Sequence, residues 1–229
     1  MSFPRPVAAV VFDMDGLLID SERVVRDAMI AVARESGRDL PLEVFARMVG
    51  LPDHASRAVA VEHFGEAFDH DAFDTEVWRR VHDELAAEVV LKAGVVELLD
   101  HLDAAGLPYA VATSSGRGSV ERHLNDILTR FAAVVAAGDY RRGKPLPDPF
   151  LVAARRLGVD PASCLALEDS HNGVRAAHAA GMMTIMVPDL LEATEEMRTL
   201  CIAIAGSLHV VREMFVRADP SKCQLRRTT

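Results

Sequence analysis

A chain of 229 residues, half of them hydrophobic, can bury a full core without staples and is too apolar to stay disordered. Its 25 basic residues fall short of its 34 acidic ones, a formal charge of -9, which argues against a polyanion-binding surface and so against a bulk nucleic-acid role. Cys164, Cys201 and Cys223 are odd in number and lack a CxxC pair, so they suggest neither a disulfide framework nor a zinc site and fit a reducing cytoplasm.

Val7 to Phe12 is a continuous apolar run that stops abruptly at Asp13, the pattern of a strand buried on both faces. It is too short for a signal segment or a membrane span. From Ser21 the period changes: Val24, Val25, Ala28, Met29 and Val32 recur at helical spacing, and Gly37 supplies a stop. Between Leu40 and Val90 further helical patterns, among them Val44 to Met48 and Val77 to Leu85, are broken at Pro41, Gly50, Pro52 and Gly65, with no convincing strand.

After Gly94 helix and strand alternate. The pairs are Val95 to Ala104 then Tyr109 to Ala112, Ser119 to Leu128 then Ala133 to Ala136, Pro149 to Leu157 then Cys164 to Leu167, and His171 to Ala180 then Met183 to Val187. Such alternation needs crossovers and predicts a parallel sheet. Gly106, Gly158 and Gly181 fall where left-handed helix ends are wanted, and Asp148 before Pro149 reads as a helix N-cap. The expected architecture is an α/β, Rossmann-like doubly wound parallel sheet of residues 1–18 and 91–229, with an all-helical cap, 19–90, inserted between. The basic tail residues Arg217, Lys222, Arg226 and Arg227 read as a solvated terminus.

In an open parallel sheet ligands sit outside the carboxyl ends of the strands. Those ends carry Asp13 and Asp15, then Thr113, Ser114 and Ser115, then Lys144, then Glu168 and Asp169. A carboxylate attacking a phosphate ester must approach another anion, so a cation has to cancel the repulsion. Asp13 and Asp169 can offer oxygen to a hard ion such as magnesium, Lys144 adds positive charge, and Thr113 with the amides opening the next helix can hold phosphoryl oxygens. Thr113 and Ser114 can cap that helix as well. Asp13 and Asp15, two apart in extended chain, can face one side and divide the work of nucleophile and acid/base. Asp69, His70 and Asp71 with His63 read as a solvated helical face, His171 as a first-turn residue that either touches the site or faces solvent, and Met182, Met183 and Met186 as core.

DMDGLLIDS at 13–21, TSS at 113–115, GKP at 143–145 and EDS at 168–170 resemble, in order, the four motifs of the haloacid dehalogenase-like hydrolases, and the similarity spans about Val7 to Val187. The resemblance implies Asp13 as nucleophile, Asp15 as acid/base and as a metal ligand through its carbonyl, Thr113 and Lys144 on the phosphate, and Glu168 and Asp169 on magnesium. It implies a phosphatase of a small phosphorylated metabolite, such as a sugar phosphate or nucleoside monophosphate; charge, cysteines and the short apolar run add the expectation of a cytoplasmic monomer or small homo-oligomer with no nucleic-acid or membrane partner. The carboxylate at Asp15 disfavours dehalogenation. The β-phosphoglucomutases share this plan but keep a histidine and an arginine where this chain has Val25 and Asp53; Arg47, His54 or Arg57 could substitute. A ligand-binding module without turnover would have lost the nucleophile or the metal acid, and neither is lost.

Overall fold

A computed structural model describes residues 3–49, 53–87 and 90–218, the side chains of 53–55 and 86–87 excepted. Gly50, Pro52, Cys223, Lys222, Arg226 and Arg227 lie outside the described residues, as do the side chains of Asp53 and His54. Six strands, β1 (Ala9–Phe12), β2 (Tyr109–Gly116), β3 (Ala133–Ala137), β4 (Cys164–Glu168), β5 (Met183–Met186) and β6 (Ala203–Ile204), form one parallel sheet in the order β3-β2-β1-β4-β5-β6. The order reverses at β1, whose carboxyl end is therefore where crossovers diverge and leave a crevice.

All four residues of β1 are fully buried, as a central strand requires. The period of two splits its side chains: Val10 and Phe12 join Tyr109, Val111, Leu165 and Leu167 on one face, and Ala9 and Val11 join Ala110, Ala112 and Ala166 on the other. Against the first face pack α5 (Val95–Ala104) and α10 (Leu208–Ala218) through Leu98, Leu102, Val211 and Phe215. Against the second pack α7 (Asp148–Leu157) and α8 (His171–Ala179), whose Ala153, Ala154, Ala176 and Ala177 permit a close approach. Met182, Met183 and Met186 are buried, as expected.

Helices α1 (Ser21–Glu35), α2 (Leu42–Met48), α3 (Asp53–Phe64) and α4 (His70–Ala87) fill the stretch between β1 and α5, and no strand lies among its described residues. Their buried side chains, including Val32, Phe45, Phe64, Phe73 and Val81, form a hydrophobic cluster of their own. The two linkers to this layer run side by side: Ile19 bridges Leu91 in antiparallel fashion, and the Asp20 amide donates to the Val90 carbonyl at 3.0 Å. Lys92 on the second linker donates to Asp189 at 2.5 Å and sits 3.9 Å from Asp20 on the first.

Several local expectations are corrected. Helix α6 (Arg117–His123) ends five residues before Leu128, because Asn125 and Asp126 favour turn over helix, and its N-cap is Gly116, so neither Thr113 nor Ser114 caps it. Asp148 is the first residue of α7 rather than its cap; its carboxylate accepts from the Arg142 amide and guanidinium at 3.2 and 2.9 Å. His70 is buried, not solvated, with Nε2 3.0 Å from the Gly65 carbonyl and its ring against Phe68. His171 is half-buried against the Glu192 carbonyl at 2.9 Å. Gly106, Gly158 and Gly181 do take positive φ after α5, α7 and α8.

Gly94 shows why one glycine is needed between linker and core. Its φ is +90°, and a Cβ there would lie 2.6 Å from the His209 amide nitrogen, under the start of α10. Gly94→Ala is expected to cost roughly 1–3 kcal/mol from backbone strain alone. A lowered urea midpoint at unchanged slope is the expected reading; an unchanged midpoint would mean that α10 shifts freely.

Candidate active site

The register of the sheet brings the acids together before any side chain is considered. Phe12 of β1 pairs with Leu167 of β4, and the Asp13 amide continues the ladder by donating to the Leu167 carbonyl at 3.0 Å. The next residues on each strand are thus Asp13 on one and Glu168 and Asp169 on the other, at the switch point. All three are buried, and each offers an oxygen within 4.8 Å of the others'.

Lys144, carried on the segment between β3 and α7, reaches into this group. Its ammonium donates to Asp13 Oδ1 and, at 2.6 Å, to Glu168 Oε1, and it lies 5.1 Å from the centroid of the Phe150 ring. The other oxygen of Glu168 accepts from the amides of Asp169 and Ser170, both at 3.1 Å, and from the Ser170 hydroxyl at 3.0 Å. That hydroxyl in turn caps α8 by accepting from the Gly173 amide at 3.1 Å.

Two glycines make room for the acids. Gly16, with φ of +79°, leaves space where a Cβ would sit 2.3 Å from Asp169 Oδ2, and at Gly173 a Cβ would sit 1.7 Å from Glu168 Oε1. The GLLIDS and EDSHNG segments are therefore steric statements about the carboxylates as much as turn signals.

Three buried carboxylates face one ammonium, so the group would carry excess negative charge if all three were ionised. Burial lifts the Asp13 carboxyl to about 8 against the pull of Lys144, with Glu168 and Asp15 adding to the rise. Burial, Glu168 and Asp13 raise Asp169 as well. Burial disfavours the Lys144 ammonium, but the Asp13 and Glu168 carboxylates outweigh it and hold its pKa well above the usual lysine range. Such a set of hard oxygen donors with unbalanced charge fits a divalent cation such as magnesium.

Asp15 stands on separate partners. Its carboxylate accepts from the Ser115 hydroxyl at 2.7 Å, the Ser21 hydroxyl at 3.0 Å and the Thr113 hydroxyl at 3.3 Å, so its side chain is not among the three clustered acids. Thr113 is fully buried, and its oxygen also accepts from the Ser115 amide at 2.9 Å. Ser114, one residue off in the strand period, is exposed beside the Tyr140 phenol.

Ser115 stands among the strand-end residues in the sequence and Ser21 closes the first motif, but neither was given a role, although the alternation that puts Thr113 on the Asp15 side puts Ser115 there too. Glu22 was also missed. Burial, Asp15 and Asp189 push its carboxyl up to about 7 against Lys92, and only its position on the first turn of α1 could have pointed to it.

A cavity of about 360 Å³ opens beside Asp15 and Ser115, between α1, α4 and α6. A larger one, about 670 Å³, lies against Phe3, Val7, Leu107 and Phe215 at the amino ends of the strands; no carboxylate lines it, so size does not mark the chemistry. Among the described residues no helix is long and apolar enough to cross a membrane.

Residues 7–181 match the haloacid dehalogenase-like hydrolases. The chain is 38% identical over 194 residues to the "Probable pseudouridine-5'-phosphatase" of Drosophila melanogaster, covering 81% of this chain and 83% of that protein. Among solved structures, a haloacid dehalogenase family hydrolase from Deinococcus radiodurans with bound phosphate and sodium superposes with a TM-score of 0.79 at 27% identity, covering 93% of this chain and 96% of the other. A "putative beta-phosphoglucomutase" from Thermotoga maritima superposes at 0.74 and 27% identity, covering 90% of this chain and 99% of the other.

Proposed function

Since the chain belongs to the haloacid dehalogenase-like hydrolases, we propose that it is a magnesium-dependent phosphatase of a small phosphorylated metabolite and that Asp13 carries the phosphoryl group in transit. The observation that supports this most is the buried set of Asp13, Glu168 and Asp169 with Lys144 at the sheet's switch point. Glu168 and Asp169 with Asp13, and the carbonyl of Asp15, would hold the metal. Bound there, magnesium supplies positive charge to the phosphoryl oxygens and to the nucleophile.

Asp13 Oδ1 is engaged by Lys144, so Oδ2 is the oxygen that attacks phosphorus. The new O–P bond forms as the ester P–O bond breaks, and Asp15 gives its proton to the departing alkoxide. Asp15 then takes a proton from water, whose oxygen attacks phosphorus and frees Asp13 with inorganic phosphate. Ser21, Ser115 and Thr113 hold the Asp15 carboxylate in place for both transfers. Lys144 and the amides at the end of β2, with Thr113 and Ser114, cradle the phosphoryl oxygens, and residues 19–90 act as a cap over a core of 1–18 and 91–229.

The mutase reading finds less support. Val25, at the place of the mutases' histidine, is an apolar wall of the cleft. Arg47 is paired with Glu62, and Arg57 with Asp71 and Asp74, so each would have to leave a carboxylate to meet a second phosphate. Phosphate release from a panel of sugar phosphates and nucleoside monophosphates, stopped by chelator and restored by magnesium, is the direct test.

Metal affinity should depend on pH. In the metal-free protein Asp13 keeps its proton up to about pH 8, and a metal must displace it. Magnesium binding is therefore expected to tighten from pH 6 to 8 by up to about tenfold per unit, with proton release seen as a buffer-dependent heat in calorimetry. A pH-independent affinity would show that the acids are already ionised.

A further inference from the structure

The cleft beside Asp15 also carries information about the alcohol that leaves, an inference that rests on the phosphatase reading. The cavity has two unlike walls. One, from α1 and α4, is an apolar strip of Val25, Trp78, Val81 and Leu85, with Ser21 and Glu22 at its Asp15 end. The other, from α4 and α6, presents His82, Arg122 and His123.

Trp78 stands apart from the molecule's other large aromatic side chains. Phe12, Tyr109 and Phe131 pack edge to face, and Phe64, Phe68 and Phe73 pack on one another, whereas the Trp78 indole is 58% exposed. Core packing does not explain it: Phe73, Val77, Val81 and Leu85 make the buried stripe of α4, and Trp78 lies off that stripe at the cavity wall. On the opposite wall Arg122 has no carboxylate partner among the described residues, and His123 Nδ1 is buried without a hydrogen-bond partner. Burial holds the His123 imidazole below its usual range, with Asp15 opposing and Arg122 and His82 adding to the fall, so Arg122 is the cation of this wall and His123 a neutral ring beside it.

A polyhydroxylated alcohol lying along Val25, Trp78, Val81 and Leu85 would leave hydroxyls unpaired and would offer Arg122 few strong acceptors. A flat ring with carbonyl oxygens satisfies both, its face against the indole and its edge toward the donors. We propose that the substrate is a phosphate monoester whose alcohol carries a planar, carbonyl-bearing ring, stacked on Trp78 with its acceptors turned to Arg122 and His123. A cavity of about 360 Å³ is of the size that such ligands fill.

Trp78 is the chain's single tryptophan, so stacking can be read from its own fluorescence. With magnesium and Asp13→Asn protein, uridine 5'-monophosphate is expected to quench that emission saturably, and ribose 5-phosphate is not. In the wild type kcat/KM for the uridine ester should exceed that for ribose 5-phosphate by about tenfold or more, Trp78→Ala should lower this ratio by about tenfold, and Trp78→Phe should keep most of it. A ratio near one with phosphate released from both compounds would overturn the ring assignment and leave the phosphatase standing. Saturable quenching with no release from either would overturn the phosphatase and leave the ring site standing. A ratio that falls with Arg122→Ala but not with Trp78→Ala would also overturn the assignment, in favour of a second anionic group on a non-planar alcohol.

Discussion

Asp13→Asn is expected to lower phosphate release on the order of 10⁴-fold while the protein stays folded. The substitution keeps the shape of the side chain and an oxygen able to accept from Lys144, so the contact at Oδ1 survives. What it removes is the anionic oxygen that must form the bond to phosphorus. From about pH 8 upward, where Asp13 ionises, it also removes one negative charge from a buried group with three carboxylates and one ammonium, which relieves repulsion. Metal-free Asp13→Asn should therefore melt no lower than the wild type at pH 8, and it should bind magnesium more weakly. The pairing of lost turnover with retained melting temperature separates a nucleophile from a structural acid. Release at near wild-type rate would move the covalent step away from Asp13.

The parallel sheet was legible in the sequence because each of its inner strands is an apolar run too short for a helix, followed by polar residues at the end where ligands sit. Val7 to Phe12 needed only a trim at its start to become β1, and Cys164 to Leu167 gained one residue to become β4. The clustering of the acids was legible for the same reason: Asp13, Glu168 and Asp169 stop apolar runs, and a carboxylate buried there needs a charged partner or a metal. Their partners were harder to read. Ser21 and Ser115 are serines in segments rich in turn formers, and only the geometry shows both hydroxyls on Asp15. Trp78 follows Val77 in a helical pattern, and nothing in the period distinguishes a packed tryptophan from an open one.

Past Val187 the pattern went unread. Helix α9 (Glu195–Leu200) has six residues and β6 two, too few for a period to show, although Leu208, Val211 and Phe215 of α10 do recur at helical spacing.

Gly173→Ala tests whether the Glu168 carboxylate is as fixed as its contacts imply. In most helices the change would stabilise by about 1 kcal/mol through helix propensity, and Gly173 is the third residue of α8. Here the new Cβ would fall 1.7 Å from Glu168 Oε1 and 1.9 Å from its Cδ. Glu168 cannot absorb this by a small turn, because it is fully buried and its two oxygens are held by Lys144, two amides and the Ser170 hydroxyl. It must swing away and leave Lys144 with one carboxylate, a disruption of a buried pair worth about 3–5 kcal/mol and several times the propensity gain. The expected outcome is a lower urea midpoint, and magnesium affinity and kcat each reduced about 10- to 100-fold, from a residue that touches neither metal nor substrate. The double-mutant cycle fixes the cause: in a Glu168→Ala background the space is vacated, and Gly173→Ala should then be neutral or stabilising. Equal losses in both backgrounds would place the damage in α8 itself and not in the carboxylate it makes room for.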